Sequence, residues 1–188
     1  MPEGRRRQIS RAALDVLGRE GSKGLTHRAV DGAAGVPPGT TSNFFRTRSA
    51  LLGAALNQHV ELDTPPSSGL ADIEDLKLDD DQAKQLILAA IDHLLRPDAR
   101  HLVAARYELV LESTRRSDLH EEFATARERF VGLSEALLGA RGCERPREHA
   151  IQLTAVVDGV LLDQLLSAPT ALDQNGISEL IERQLRSC

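Results

Sequence analysis

An all-α fold of about nine helices is predicted here, and three observations predict it. Apolar residues recur at three- and four-residue spacing along the chain, and no stretch alternates with the period of two that a half-buried strand requires. Aromatic content is 3%, with no Trp, while 41% of the 188 residues are hydrophobic. That balance suits Ala/Leu helix packing better than a β-sandwich. Glycine, proline and capping residues divide the periodic runs into helix-sized pieces. The length allows one compact unit or two small domains sharing an interface.

The first helix is expected from Arg5 to Glu20, with Ile9, Ala13, Val16 and Leu17 on one face and Gly21 to Gly24 ending it. Arg5, Arg6 and Arg7 precede that face, either as a solvated basic terminus or as an arm for phosphates or a minor groove. Thr26 is a good N-cap for a second, short helix, and Leu25 can staple onto Val30. Ala29, Val30, Ala33 and Ala34 supply its apolar stripe, and Gly35 suits a left-handed residue after it. Pro38 fits the first turn of a third helix. The run Gly39-Thr40-Thr41-Ser42-Asn43-Phe44-Phe45 is a poor isolated helix, so packing must hold it, with Phe45 as the inward anchor. Thr47 caps a fourth helix to about Leu62, with Leu51, Leu52, Ala55, Leu56 and Val60 inward.

Residues 63–69, DTPPSSG, read as a linker, and 70–81 as an acidic segment with room for one helical turn. Asp79-Asp80-Asp81 reads as the acidic N-terminus of a helix through Arg96 rather than a metal loop, for which no converging ligands are evident. After Pro97, helices are expected from about Asp98 to Arg116, Asp118 to about Ala140, Pro146 to about Ser167, and Gly176 to about Arg186. The one opened by Pro146 is apolar most of the way round and should be buried on more than one side.

The span 25–48 is therefore a capped helix, a glycine turn and a hydroxyl-rich helix with basic flanks: a helix-turn-helix. Thr40, Thr41, Ser42 and Asn43 have the short polar groups that read base edges, Asn43 best for adenine. Phe44 would stack, touch a thymine methyl or only pack. Thr26, Arg28 and Arg48 would anchor phosphates, Arg48 with help from a helix N-terminus. The net charge of −5 conceals a polarity: residues 1–60 hold nine Lys/Arg against four Asp/Glu, and the rest holds fourteen against twenty-four. A basic head on an acidic body directs the head to nucleic acid.

With Thr26, Ala34-Gly35-Val36, Gly39-Thr40, Phe45 and Arg48 in this order, the chain resembles the TetR family of bacterial repressors over roughly residues 5–60. The resemblance implies a helix-turn-helix DNA-binding domain at 1–47 and a helical ligand-binding and dimerisation domain at 48–188. It implies a cytoplasmic homodimer that binds a palindromic double-stranded DNA operator and is released by a small-molecule effector. The last two helices would pair across a two-fold axis, with Leu161, Leu165 and Leu180 at the seam. The effector pocket would lie within the C-terminal helices, with Tyr107, Phe130 and Asp158 as candidate lining. A core Tyr107 and an Arg-paired Asp158 fit the sequence as well. The effector is then largely apolar with one or two polar groups, and cationic if Asp158 is unpaired. Three positions depart from the family: Asp31 where a small Ala is usual, Ser42 where Tyr is common, and Phe44 where His or Tyr is frequent. Asp31 motivates an alternative, a helical protein-interaction module whose helix-turn-helix no longer reads DNA.

Enzyme signatures are absent: there is no phosphate loop, nucleophile elbow or zinc motif. No cofactor, metal or membrane segment is expected, and the six His are scattered. Cys143 and Cys188 are expected to stay reduced in a cytosolic protein, with a redox sensor as the alternative.

Overall fold

The computed structural model describes residues 2–63, 76–166 and 169–188. The expected linker, beyond its first residue, and the first part of the 70–81 segment lie outside them. Helices are α1 (Pro2–Gly24), α2 (His27–Ala33), α3 (Thr40–Phe44), α4 (Arg48–Asp63), α5 (Asp80–Leu95), α6 (Arg100–Arg115), α7 (Ser117–Ala140), α8 (Pro146–Leu166) and α9 (Gln174–Arg186). No strand occurs among the described residues. Residues 76–79 carry no helix and Asp80–Asp81 already belong to α5; the rest of the 70–81 segment lies outside the described residues.

The chain forms two compact units. The first takes Met1–Asp63 and Asp98–Ala126, a different grouping from the expected division after residue 47. Ile9, Leu14, Leu17, Leu25, Val30, Leu51 and Leu52 are fully buried in it. Helix α1 packs on α2, α4 and α6. At Gly18 the approach to α6 is backbone-close: a Cβ there would stand 2.0 Å from the His101 carbonyl oxygen. The first helix runs further than expected, but Gly21 (φ 71°, ψ −178°) breaks it, a conformation that suits glycine. Pro38 precedes α3 instead of opening it, because Gly39 (φ 87°) takes the N-cap position.

Inside this unit His59 is 2% exposed. Its Nε2 is 3.4 Å from Arg106, and its Nδ1 is 3.3 Å from the Asp63 carboxylate. Burial first, and then the Arg106 charge, push the imidazole pKa down to about 3, so it stays neutral.

The second unit takes Thr64–Pro97 and Arg127–Cys188. Helix α5 opens with a full capping box: Asp79 accepts from the Gln82 amide and Gln82 accepts from the Asp79 amide. The acidic cap read from the sequence is therefore its first turn, and Asp80 also holds Arg141 at 2.6 Å. Ile91, Leu138, Val160 and Ile181 form the centre of the core. Helix α9 packs on α5 and α8, assisted by Lys84–Glu182 at 2.9 Å.

Helix α8 is not covered all round. Ala150, Leu153, Val160 and Leu161 are buried, whereas Ile151 (49%), Leu162 (43%) and Leu166 (69%) are exposed. Leu161, expected at a subunit seam, is 1% exposed in the single chain. One residue is about 100° of helix, so Leu162 and not Leu161 faces outward. Leu165 is half-buried, and the half-buried Leu180 packs on the core. The two cysteines, expected as reduced thiols, are joined as a Cys143–Cys188 disulfide with Cα atoms 5.4 Å apart. Their separation of 45 residues in sequence concealed that the fold brings them together.

Candidate nucleic-acid interface

Helices α2 and α3 are short, so side chains must fix their geometry. Thr26 caps α2, its hydroxyl accepting from the Ala29 amide at 3.1 Å. Gly35 at φ 62° closes the helix as expected. The Gln8 amide donates to the Ala34 carbonyl at 2.7 Å and ties α1 to the turn. His27 Nε2 lies 2.6 Å from the Phe45 carbonyl and joins the start of α2 to the end of α3. Phe45 is 2% exposed, and the Arg6 guanidinium lies 4.6 Å from its ring centroid.

Asp31 is the residue whose role the sequence misjudged. Its carboxylate is 4% exposed and accepts from the Gly39 amide at 2.7 Å and the Thr41 amide at 2.7 Å. It thereby supplies, from α2, the N-terminal acceptor that Gly39 cannot give α3. Burial alone would raise its pKa. The Thr41 hydroxyl and amide, the Gly39 amide and nearby His27 outweigh that and hold the carboxyl below its usual 3.8. The acid braces α3 from behind.

Of the expected base-reading residues, Ser42 and Asn43 are exposed and Thr40 is half-buried, with its hydroxyl donating to the Pro37 carbonyl at 2.6 Å. Thr41 is 0% exposed: it lies on the inward face beside Asp31, so its side chain is not on the surface with Ser42 and Asn43. Phe44 is half-buried.

Of the expected phosphate anchors, Thr26 and Arg28 are exposed. Arg48 is turned inward. It donates to the Leu25 carbonyl at 2.6 Å, to the Ser22 hydroxyl at 2.7 Å and to the Ser22 carbonyl. Ser22 also meets the Glu112 carboxylate at 2.5 Å, so Arg48 belongs to a half-buried polar joint beside Gly21. Arg46, which was not singled out, is exposed just past α3. Its signal was in the sequence: it adjoins the inward Phe45, where the chain leaves the helix in extended form.

An open cleft of about 770 Å³ lies beside this surface, between the start of α1 and α4. Arg6, Phe44, Phe45, Asn57 and Glu61 help to line it. None of the expected effector-pocket residues does. Tyr107 is half-buried on α6 of the first unit, while Phe130 and Asp158 are half-buried in the second. Asp158 is paired with Arg127 at 2.8 Å, so it is not the unpaired acid that would select a cationic effector.

Comparison with known proteins agrees with the architecture. Residues 78–187 match a family model described as a tetracyclin repressor-like C-terminal domain. No curated protein matches the chain. Among solved structures, the multidrug binding protein EbrR complexed with proflavin is similar, with 33% identity over 96% of this chain and 99% of that chain, at a TM-score of 0.63. EbrR has also been solved with ethidium, at 32% identity and a TM-score of 0.69. A TetR-family member from Streptomyces coelicolor A3, SCO1917, has 32% identity over 96% of this chain and 97% of that one, at a TM-score of 0.67. A transcriptional regulator from Rhodococcus sp. Rha1 shares the fold at a TM-score of 0.74 and 20% identity, over 97% of this chain and 94% of that one.

Proposed function

The chain belongs to the TetR family of transcriptional regulators, and from that premise we propose that it is a cytoplasmic, effector-released repressor binding a palindromic operator as a homodimer. The observation that carries this reading is the braced surface of α3. Ser42 and Asn43 are exposed, as are Arg28 on α2 and Arg46 just past α3, and the geometry is held from within by Asp31, Thr41 and Phe45. Hydroxyl and amide groups on a rigid edge suit base readout, and the two guanidiniums suit phosphates. Thr40 and Phe44 contribute at the margin. Asp31 no longer favours the alternative of a helix-turn-helix without DNA, because it holds the reading helix in place.

The dimer seam is assigned to the exposed stripe Ile151, Leu162 and Leu166 of α8, with Leu165 beside it and Leu180 from α9 at its edge. Two copies then present two reading helices, as a palindrome requires. The effector is a largely apolar small molecule, in keeping with the proflavin and ethidium complexes of EbrR. Phe130 and the Arg127–Asp158 pair are its candidate contacts in the second unit, and Tyr107 is a separate candidate in the first. Its binding must favour one of two conformers to alter DNA affinity.

Selection of bound DNA from a random pool tests the reading. An enriched palindrome, bound by a dimer and weakened by ethidium or proflavin, supports it. Enrichment of nothing removes DNA recognition. An operator whose affinity no small molecule changes removes the effector and leaves a constitutive DNA-binding protein.

A further inference from the structure

We propose that Cys143, His149 and Cys188 form a reversible thiol–disulfide site, oxidised by hydroperoxides and reset by dithiols. Cys143 follows α7 and His149 lies in the first turn of α8, while Cys188 lies just beyond α9. The fold brings all three into the second unit, with their ligand atoms within 4.8 Å of one another. His149 Nδ1 is 3.1 Å from Cys143 Sγ and 3.0 Å from Cys188 Sγ. Two further facts decide the chemistry.

The imidazole is one. A disulfide has no proton to exchange with a nitrogen placed against both sulfurs. A dithiol does: the same nitrogen can hydrogen-bond either S–H and accept its proton, which raises the thiolate fraction, the nucleophilic form. A buried His serving both sulfurs is thus suited to the reduced and not only to the oxidised pair. Access is the other. Cys143 and His149 are 9% and 4% exposed, whereas Cys188 is half-buried and reachable by a small oxidant. Cys188 is therefore the attacking sulfur and Cys143 the resolving one. The cytoplasmic setting, which rests on the reading above, supplies the reductants that make such a pair transient.

The steps balance. The Cys188 thiolate attacks the distal oxygen of the hydroperoxide, the O–O bond breaks, and an alcohol leaves after taking up a proton. Cys188 is then a sulfenic acid. The Cys143 thiolate attacks that sulfur, the S–O bond breaks, and hydroxide leaves as water with a proton relayed by His149. Overall two thiols and one hydroperoxide give one disulfide, one alcohol and one water. An external dithiol reverses the S–S bond by exchange and becomes a disulfide itself. Oxidation pins the end of α9 to the corner between α7 and α8, and reduction releases it. Two thiolates and an imidazole are also a soft metal-ligand set, but a metal would need the two sulfurs apart, each bonded to the ion.

The test uses the full chain, reduced with dithiothreitol, desalted without oxygen and titrated with hydrogen peroxide. Thiols are counted under denaturing conditions and the intact mass is measured. We expect both thiols to be lost together, within one chain, and recovered when dithiothreitol is added to the folded protein. His149→Gln should slow the loss by roughly tenfold or more, while the melting temperature of the reduced protein stays unchanged. A merely structural His149 would move the melting temperature and not the rate. If His149→Gln does not fold, Cys143→Ser supplies the second arm, since it should accumulate a sulfenic acid on Cys188 that dimedone traps. The proposal is overturned if the thiols react no faster than free cysteine or pair only between chains. It is equally overturned if the disulfide resists dithiothreitol in the folded protein, or if one Zn²⁺ per reduced chain binds and blocks oxidation. None of these readouts involves DNA, so their failure and failure of the operator-binding reading are distinguishable.

Discussion

Replacing Asp31 with Ala separates two views of an acid inside a helix-turn-helix. As a repulsive charge, its loss should tighten DNA binding at little structural expense. As the brace seen here, its loss removes the acceptor of two amides at the N-terminus of α3. These amides are not equivalent. Gly39 is exposed and water can replace the carboxylate, but Thr41 is 0% exposed, so its amide stays unsatisfied. A buried unsatisfied donor costs about 1–3 kcal/mol, and the variant should lose that much and not double it. With a typical urea slope of about 1–3 kcal/mol per M, the midpoint of the transition involving this unit should fall by roughly 1 M. Circular dichroism is the suitable probe, because the chain has no Trp and a single Tyr. Operator affinity should fall with stability, since α3 has no side-chain N-cap of its own. Asp31→Asn keeps one acceptor and turns a donor toward the other amide, so it should fall between Ala and the native residue. In the native protein the carboxyl pKa lies below 3.8. As the pH drops, the unfolded chain takes the proton first, so this stabilisation is complete above about 3.8 and is lost as the pH falls through the folded value. An unchanged midpoint in Asp31→Ala with tighter DNA binding would refute the brace.

Asn43→Ala should lose about 1–3 kcal/mol of discrimination at one base position per half-site, read by selection on single-base variants of the operator. Arg28→Ala should reduce the slope of log affinity against log salt by about 1, whereas Arg48→Ala should lower stability and leave that slope alone. Leu162→Asp and Leu166→Asp should give soluble, folded monomers by sedimentation, while Leu161→Asp should fail to fold because the charge enters the core; a dimeric Leu166→Asp would move the seam elsewhere. His59 has a folded pKa of about 3 against an ordinary 6.5, so between those values the unfolded state binds the extra proton. Stability should therefore decline by about 1.4 kcal/mol per pH unit as the pH falls through that window, and His59→Gln should flatten this part of the stability–pH curve.

The helical class and most helix ends were legible because they are local. Thr26, Gly35, Pro97 and Pro146 act within a turn of their own position, and the capping box at Asp79 is written in four consecutive residues. Phase within a helix was legible only where one face is polar. Helix α8 is apolar on several sides, so nothing in its sequence separates buried Leu161 from exposed Leu162. Partners distant in sequence were not legible. Arg48 looked like an outward cation because Ser22 lies 26 residues earlier, and Asp31 looked intrusive because its amide partners are beyond the turn. The disulfide and its histidine need the corner between α7 and α8 to meet the end of α9.

Gly18 has a consequence for how such a protein can be taken apart or recombined. The backbones of α1 and α6 meet there with no room for a methyl group, although the chain leaves this unit after Asp63 and returns only at Asp98. No single uninterrupted piece of sequence therefore encodes the first unit without other material. Cutting after α4 would strip α1 of its most intimate neighbour and leave Gly18 facing solvent. An exchange of effector specificities between relatives would succeed when residues 98–126 travel with the first 63. Crossovers that divide them should yield chimaeras that fail in the head even though every base-reading residue is intact.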